Sequence, residues 1–428
     1  MKNGFWILRI SETLSTTANK MLISIFIWFS ISYVSSPDEA SSIYATYFLS
    51  KIVFGTILSP LGDRFEKRKL IFYANSLALV GFFIAVYMIN QKNIYVPLFY
   101  AIVIFLGCCD AIYPPLANAI LPDIVEKKNL DLAYQYTFFL QSIGSLIGIS
   151  VGIISLDMLG LYVAVVLATT LSIVSQLILL FLNVAKEKPI IRSESLTYMR
   201  EIKESFILTY KYKSEFYWNL AASLANFIVA PIISIAIPFF VSHILMKDGG
   251  YVVFYEVCIS FGVILGALYV QKKLIYIGVK KMTLVKSSFS FMGISILLLA
   301  LFDNYIVWGG ALLFLGLSII VCNICVESVR SIAIPKQYRS RLQTIHILTI
   351  LSSTPLGFLL MGNWIESYSL QSLLFAFGLI LLVVSQFIIH IPKMEHLLSM
   401  EEDELEGAYA SLFCLPNEAD KSINLKET

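Results

Sequence analysis

Twelve apolar runs, each about 20 residues or longer, recur along this chain with polar breaks between them. They fall near residues 10–34, 41–61, 70–90, 95–120, 134–155, 158–184, 216–243, 250–271, 282–302, 305–328, 343–364 and 370–391. A helix of about 20 apolar residues crosses a hydrocarbon core of roughly 30 Å. In lipid every backbone polar group needs an internal partner, so only helices and closed barrels span it. The runs are continuous rather than alternating, so the expectation is an all-α membrane protein with twelve transmembrane helices. Only 14% of the 428 residues are charged, against about 25% in soluble domains. The stretch after Met21 is long and lacks a clean small-x-small cleavage site, so it reads as a retained first span.

The distribution of cations orients the spans. With the N-terminus inside, only Lys92 and Lys247 of the 31 Lys and Arg fall in outer loops. Arg64, Lys67, Arg68 and Lys69, then Lys127 and Lys128, Lys272, Lys273, Lys280 and Lys281, and Lys336, Arg339 and Arg341 all fall inside. The positive-inside bias therefore places both termini in the cytoplasm. Asp38, Glu39, Asp157, Asp303 and Glu366 lie in the outer loops.

The longest inner segment holds seven cations from Lys186 to Lys213, with Leu196, Met199, Ile202 and Phe206 at helical spacing. It reads as an amphipathic helix on the membrane face. The expected organisation is a six-helix bundle over 1–184, a cytoplasmic linker over 185–215, a second bundle over 216–392 and an acidic tail over 393–428. The bundles look like repeats: aligning Pro122 with Pro335 places Asp110 opposite Asn323. The tail, with Glu401, Glu402, Asp403, Glu404 and Glu406, reads as solvated chain or as a regulatory docking segment.

Ionisable groups within spans are costly and are the first candidates for function. Asp110, Glu256, Lys20 and Glu12 are the coupling candidates. Asp110 reads either as a proton-coupling carboxylate or as the partner of Lys20 or Lys51 in an ion pair. Glu256 reads as a coupling group, an outer-gate partner or a solvated side chain. Glu327 and Arg330, one turn apart, read as a structural pair. His346 reads as hydrogen-bonded packing or a proton relay. Polar stripes mark spans one, four, seven and ten: Glu12, Thr16, Asn19 and Lys20; Asp110, Pro114 and Asn118; Asn219, Ser223 and Asn226; Asn323, Glu327 and Arg330. They read as a water-filled path or as interhelical hydrogen bonding. Trp28, Trp218, Tyr113, Phe239 and Phe240 are candidates for stacking on a planar substrate. Pro114, Pro115, Pro231, Pro238 and Pro355 predict bends in spans four, seven and eleven.

The turn Gly62-Asp63-Arg64-Phe65-Glu66-Lys67-Arg68 between spans two and three carries the clearest likeness. With the six-plus-six layout, it resembles the signature G-D-R-x-G-R-R turn of the major facilitator superfamily. Glu66 stands for the second glycine and Lys67 for the first closing arginine. The resemblance covers residues 5–392 and implies two bundles that rock about a midplane cavity. It implies that spans one, four, seven and ten line that cavity, with Thr16, Asn19, Tyr113, Asn118, Asn219, Asn226 and Asn323 as substrate-facing candidates. It also implies an inner-gate role for Gly62, Asp63, Arg64 and Arg68, with Asp63 accepting hydrogen bonds at the start of span eleven.

Pro114 to Val125, then Leu130 and Ala133, looks like the junction after span four in bacterial efflux permeases of the macrolide- and enterobactin-exporter group. Ile334-Pro335 and Tyr338-Arg339-Ser340-Arg341-Leu342 are similar to the same group's junction after span ten. Gly144, Gly148 and Gly152 resemble the antiporter motif of span five, with Ile149 where the proline stands. The same spacing reads as a helix-packing face. The resemblance implies proton-coupled export of a small amphipathic compound from a bacterial plasma membrane; the alternatives are nutrient uptake and, further off, a membrane-embedded lipid enzyme or a non-transporting receptor of the same shape. The expected partners are that substrate, protons and membrane lipid, in a monomer with no nucleic acid.

Other classes find no footing in the sequence. There is no Walker-type phosphate loop, no HExxH and no nucleophile elbow, so the expectation is a non-enzyme without cofactor or metal. Cys322 and Cys325 have CxxC spacing but lie in an apolar run with no second pair, so they read as small packing residues.

Overall fold

The computed structural model describes residues 3–58, 66–91, 96–125, 130–182, 203, 206–270, 273, 276–334, 339–405 and 408–413. Among them no strand occurs and helices dominate. In chain order these are α1 (Asn3–Ser32), α2 (Pro37–Leu58), α3 (Lys67–Asn90), α4 (Val96–Ile124) and α5 (Leu130–Leu180). The second half holds α6 (Lys213–Pro231), α7 (Gly250–Leu265), α8 (Lys281–Leu301), α9 (Tyr305–Ala333), α10 (Arg339–Ser367) and α11 (Leu370–Ile388). Three short helices follow: α12 (Met394–Ser399), α13 (Glu402–Leu405) and α14 (Ala408–Leu412).

Ten described helical stretches are long and apolar enough to cross a membrane. One of them, Phe139–Leu180, is two spans in one, because α5 has non-helical backbone at Gly160 (φ 80°, ψ 166°). Only glycine adopts such angles at low cost, so the chain reverses there without a loop. The two arms of α5 and the 22-residue α2 complete the twelve spans expected from the runs. The protein is an all-α, multi-pass membrane protein. Its first helix, Asn3–Ser32, takes in residues ahead of the apolar run and holds a buried Arg9–Glu12 pair there.

Proline shapes the seventh span in a specific way. Beyond Pro231, α6 continues as a π turn (Ile232–Ala236), a short α segment containing Pro238, and a second π turn (Phe240–Ile244). Proline lacks an N–H and clashes with the preceding turn, and a wider turn relieves both. Elsewhere Pro355 lies inside α10, and Pro114 and Pro115 lie inside α4.

Contacts group the chain into two compact units. The first comprises 1–193, 230–254 and 354–367; the second comprises 194–229, 255–353 and 368–428. In the first unit, α1 packs along the first arm of α5 over a stripe of small residues. A Cβ at Gly148 would lie 2.5 Å from the Thr17 carbonyl oxygen, and one at Gly152 would lie 2.8 Å from the Met21 carbonyl oxygen. Gly144, Gly148 and Gly152 thus admit α1 to backbone distance. In the second unit, α8 packs against α11, where Gly293 and Gly378 make the same close approach.

Several expectations lie outside the described residues: Gly62, Asp63 and Arg64 of the charged turn, Leu196, Met199 and Ile202 of the linker helix, and the chain beyond 413. Phe206 of that linker is half-exposed on a helical stretch. Arg68, at the edge of the turn, donates to the Leu180 carbonyl at 3.1 Å. A cation thus meets the negative end of the second arm of α5.

Candidate functional site

Asp110 lies on α4 where α2 comes closest. A Cβ at Gly107, one turn earlier, would meet Ser50 Cβ at 2.7 Å and the Tyr47 carbonyl oxygen at 2.8 Å. This glycine therefore brings the buried Tyr47 within reach. Tyr47 Oη donates a short hydrogen bond to Asp110 Oδ2, and Asn19 Nδ2 of α1 donates to Oδ1 at 2.6 Å. Lys20 Nζ donates to Tyr47 Oη at 3.3 Å and sits 5.0 Å from the centre of that ring. Lys51 Nζ lies 5.6 Å from the same ring and 5.8 Å from that of Phe48. Neither lysine forms an ion pair with Asp110 among the described residues; Tyr47 stands between them as a relay. The arrangement is a carboxylate held by neutral donors, with two ammonium groups one side chain away.

Toward the start of α1 lies a second network. Arg9 and Glu12 form an ion pair with both side chains buried. Arg9 Nη2 also donates to the Ala117 carbonyl and to Asn118 Oδ1, each at 3.1 Å. Gln141 Nε2 donates to Glu12 Oε1 at 2.7 Å. Tyr113 is buried and its hydroxyl meets Ser11 Oγ at 2.8 Å. Ser15 and Gln176 bind the buried Asn75 at 2.8 and 2.7 Å. Glu12, Tyr113 and Asn118 thus join α1, α4 and α5 in a polar lock, in which the buried Arg9 Nε has no hydrogen-bond partner among the described residues. Thr16 is half-buried on the same helix.

The second unit holds a cavity of about 140 Å³ lined by Trp218, Asn226, Phe289, Asn323, Glu327 and His346. Three of these, Asn226, Asn323 and Glu327, come from the sequence stripes of spans seven and ten. Asn226 Nδ2 is tied to the Ala222 carbonyl at 3.1 Å. Asn219 lies beside the cavity, its Oδ1 2.6 Å from His346 Nδ1. His346 Nε2 is 3.0 Å from Glu327 Oε1. Arg330 donates from Nη1 to Glu327 Oε2 at 2.9 Å and clamps Glu215 with Nε at 2.8 and 2.9 Å. Two carboxylates, one guanidinium and one imidazole therefore form a chain that ends at the cavity wall.

Glu256, on α7, is half-buried and has no hydrogen-bond or ion-pair partner among the described residues. Among those residues, no group of three or more His, Cys, Asp and Glu gathers as metal ligands do. Arg9 and Glu215 did not stand out in the sequence, and Asp157 stood out only as an outer-loop acid. Arg9 and Glu215 flank apolar runs and look like surface charges, although the Arg9–Glu12 spacing of three was a legible signal. Asp157 accepts from Trp28 Nε1 at 2.7 Å and from the Gly249 N–H at 2.6 Å. Trp28 is thereby engaged with an acid.

A sequence profile described as Major Facilitator Superfamily matches residues 9–357, most of the chain. The chain belongs to the Major Facilitator Superfamily. Among curated proteins, none matches it in sequence. Its fold is shared with solved transporters. A mutant peptide transporter POT in complex with alafosfalin superposes with a TM-score of 0.73 at 12% identity, over 94% of this chain and 96% of that one. The nucleoside transporter NupG gives 0.66 at 13% identity, over 91% and 99%. The POT family transporter PepTSo gives 0.65 at 10% identity, over 92% and 99%. Identities this low show the fold alone; the family match over most of the chain supports a membrane transporter.

Proposed function

We propose that this chain is a proton-coupled exporter of a small amphipathic compound, working by alternating access in a bacterial plasma membrane with both termini cytoplasmic. The observation that carries the reading is Asp110. It is an ionisable group within a span, held by the neutral donors Tyr47 and Asn19, with Lys20 and Lys51 close by. As a carboxylate it offsets one of the two ammonium charges nearby. A proton and a cationic substrate compete for that negative charge, so taking up a proton releases the substrate.

Export is supported by the likeness of residues 114–125 and 334–342 to efflux permeases, which points to an antibiotic, a siderophore or a peptide-like natural product. The distribution of Lys and Arg supports the orientation. The turn at residues 62–68 is the inner gate in this reading. Uptake of a nutrient is the competing reading.

A resistance panel in cells overexpressing the protein tests the proposal. The expected result is raised resistance to one amphipathic compound class, abolished by an uncoupler and by Asp110→Asn. Resistance that survives collapse of the proton gradient overturns coupling. Heightened sensitivity with greater cellular accumulation of the compound overturns export in favour of uptake.

A further inference from the structure

The segment after α11 is folded against the second unit. Lys393, with left-handed backbone (φ 60°), turns the chain out of α11 into α12. Met394, Leu397, Leu398, Leu405, Ala408 and Tyr409 are all buried, each at most 4% exposed. Ser214 Oγ donates a short hydrogen bond to the Pro392 carbonyl, and Lys393 Nζ does the same to the Leu412 carbonyl. Lys393 also lies 5.0 Å from the centre of the Phe413 ring. Tyr212, Tyr409 and Phe413 form an aromatic cluster with centroids 5.2 to 6.1 Å apart. Solvated tail does not bury this much apolar surface.

The tyrosine at the centre of this fold touches charge. Tyr409 Oη donates to Glu215 Oε2 at 3.2 Å. Glu215 and Arg330 are 0% and 2% exposed, with an N···O distance of 2.7 Å. A buried pair of this kind is held by its remaining hydrogen bonds as much as by its own attraction. Arg330 divides its donors between Glu215, Gln343 and the cavity carboxylate Glu327. Burial, and then the charge of Glu215, push the Tyr409 phenol well above its ordinary range, so it remains a donor.

We propose that the carboxy-terminal segment is a positioning element for the cavity lined by α6, α8, α9 and α10: Tyr409 holds Glu215, Glu215 holds Arg330, and Arg330 sets the place of Glu327 on the cavity wall. Each link is a hydrogen bond from a named donor to a named acceptor; Tyr409, Glu215 and Arg330 are buried, while Glu327 is 38% exposed and also meets His346. Removing the phenol hydroxyl leaves one Glu215 oxygen short of a donor, and the guanidinium then shifts toward it and away from Glu327. The inference rests on the transporter fold and on no particular substrate, direction or coupling ion.

Cys322 lines the same cavity and is 3% exposed, so its reactivity reports whether the wall holds. The test modifies full-length protein in lipid nanodiscs with N-ethylmaleimide and reads Cys322 by peptide mass spectrometry. The half-buried Cys258 on α7 serves as internal reference. Tyr409→Phe, which keeps the ring and its packing, is expected to raise the Cys322 to Cys258 rate ratio about tenfold, the effect of losing one hydrogen bond to a charged group. Glu327→Gln is expected to raise it similarly, and Tyr409→Phe to add little on that background. A ratio within about twofold of the parent in Tyr409→Phe overturns the proposal. So does a parallel rise at both cysteines, which marks general loosening. Failure of the resistance panel leaves this readout unaffected, so the two ideas fall separately.

Discussion

The carboxylate of Asp157 accepts the backbone N–H of Gly249 at 2.6 Å. The same carboxylate takes the indole N–H of Trp28, so one acid near the Gly160 reversal holds α1 and the entry to α7. A Cβ at Gly249 would lie 2.1 Å from Ile153 Cγ2 and 2.7 Å from Asp157 Oδ2. Asp157→Ala strands two donors and is expected to cost about 1–3 kcal/mol. Asp157→Asn keeps an acceptor and should cost less. Amide hydrogen exchange across 249–252 checks this: unchanged protection in Asp157→Ala would show that the contact does not hold the segment.

The small-residue stripe of α5 predicts an order of damage. A Cβ at Gly148 would lie 2.5 Å from the Thr17 backbone oxygen, which cannot move aside, so Gly148→Ala should cost about 1–3 kcal/mol. At Gly144 the nearest atom is the Thr13 methyl at 3.0 Å, and Gly144→Ala should be milder. Thermal unfolding of the detergent-solubilised variants ranks them; the reverse order counts against close α1–α5 packing.

Arg330 and Glu215 are both buried, so breaking the pair from one side is expensive. Arg330→Met leaves Glu215 unpaired and should cost about 3–5 kcal/mol. The double variant Glu215→Leu with Arg330→Met should recover much of that loss, because Glu327 is 38% exposed and tolerates losing its cation. A double variant no more stable than Arg330→Met would mean that the cost lies in lost packing around the guanidinium stem.

Tyr47 and Asp110 predict separable phenotypes. Tyr47→Phe removes the relay between Lys20 and Asp110 but leaves Asn19 on the carboxylate. It should lower transport several-fold, on the order of one lost charged hydrogen bond, while keeping sensitivity to an uncoupler. Asp110→Asn should abolish that sensitivity together with transport. Identical behaviour of the two variants in the resistance assay would place the essential chemistry elsewhere.

The fold was legible because membrane spans are written locally: length and apolarity suffice, and partners are not needed. The charged networks were not legible in that way. Arg9 and Glu215 sit where runs end, and a window of hydropathy treats such charges as surface. Their partners Asn118, Arg330 and Tyr409 lie far along the chain, so only the folded backbone brings them together. The stripes on spans one and four mark faces that meet in hydrogen bonds, Asn19 to Asp110 and Arg9 to Asn118, but helical spacing alone does not separate a lock from a water path. Asp110 was legible for the opposite reason: a lone acid deep in an apolar run signals its own cost.

The reversal at Gly160 has a different kind of consequence. A Cβ there would meet nothing within 4 Å, so the position is open in space and restrictive only in backbone angle. Any L-side chain pays a backbone cost of about 1–3 kcal/mol, whatever its size. The mirror image of that backbone is ordinary extended chain, so D-alanine would fit without strain. The demand at this residue is one of handedness, and the two spans it joins are hinged on the one amino acid that has none.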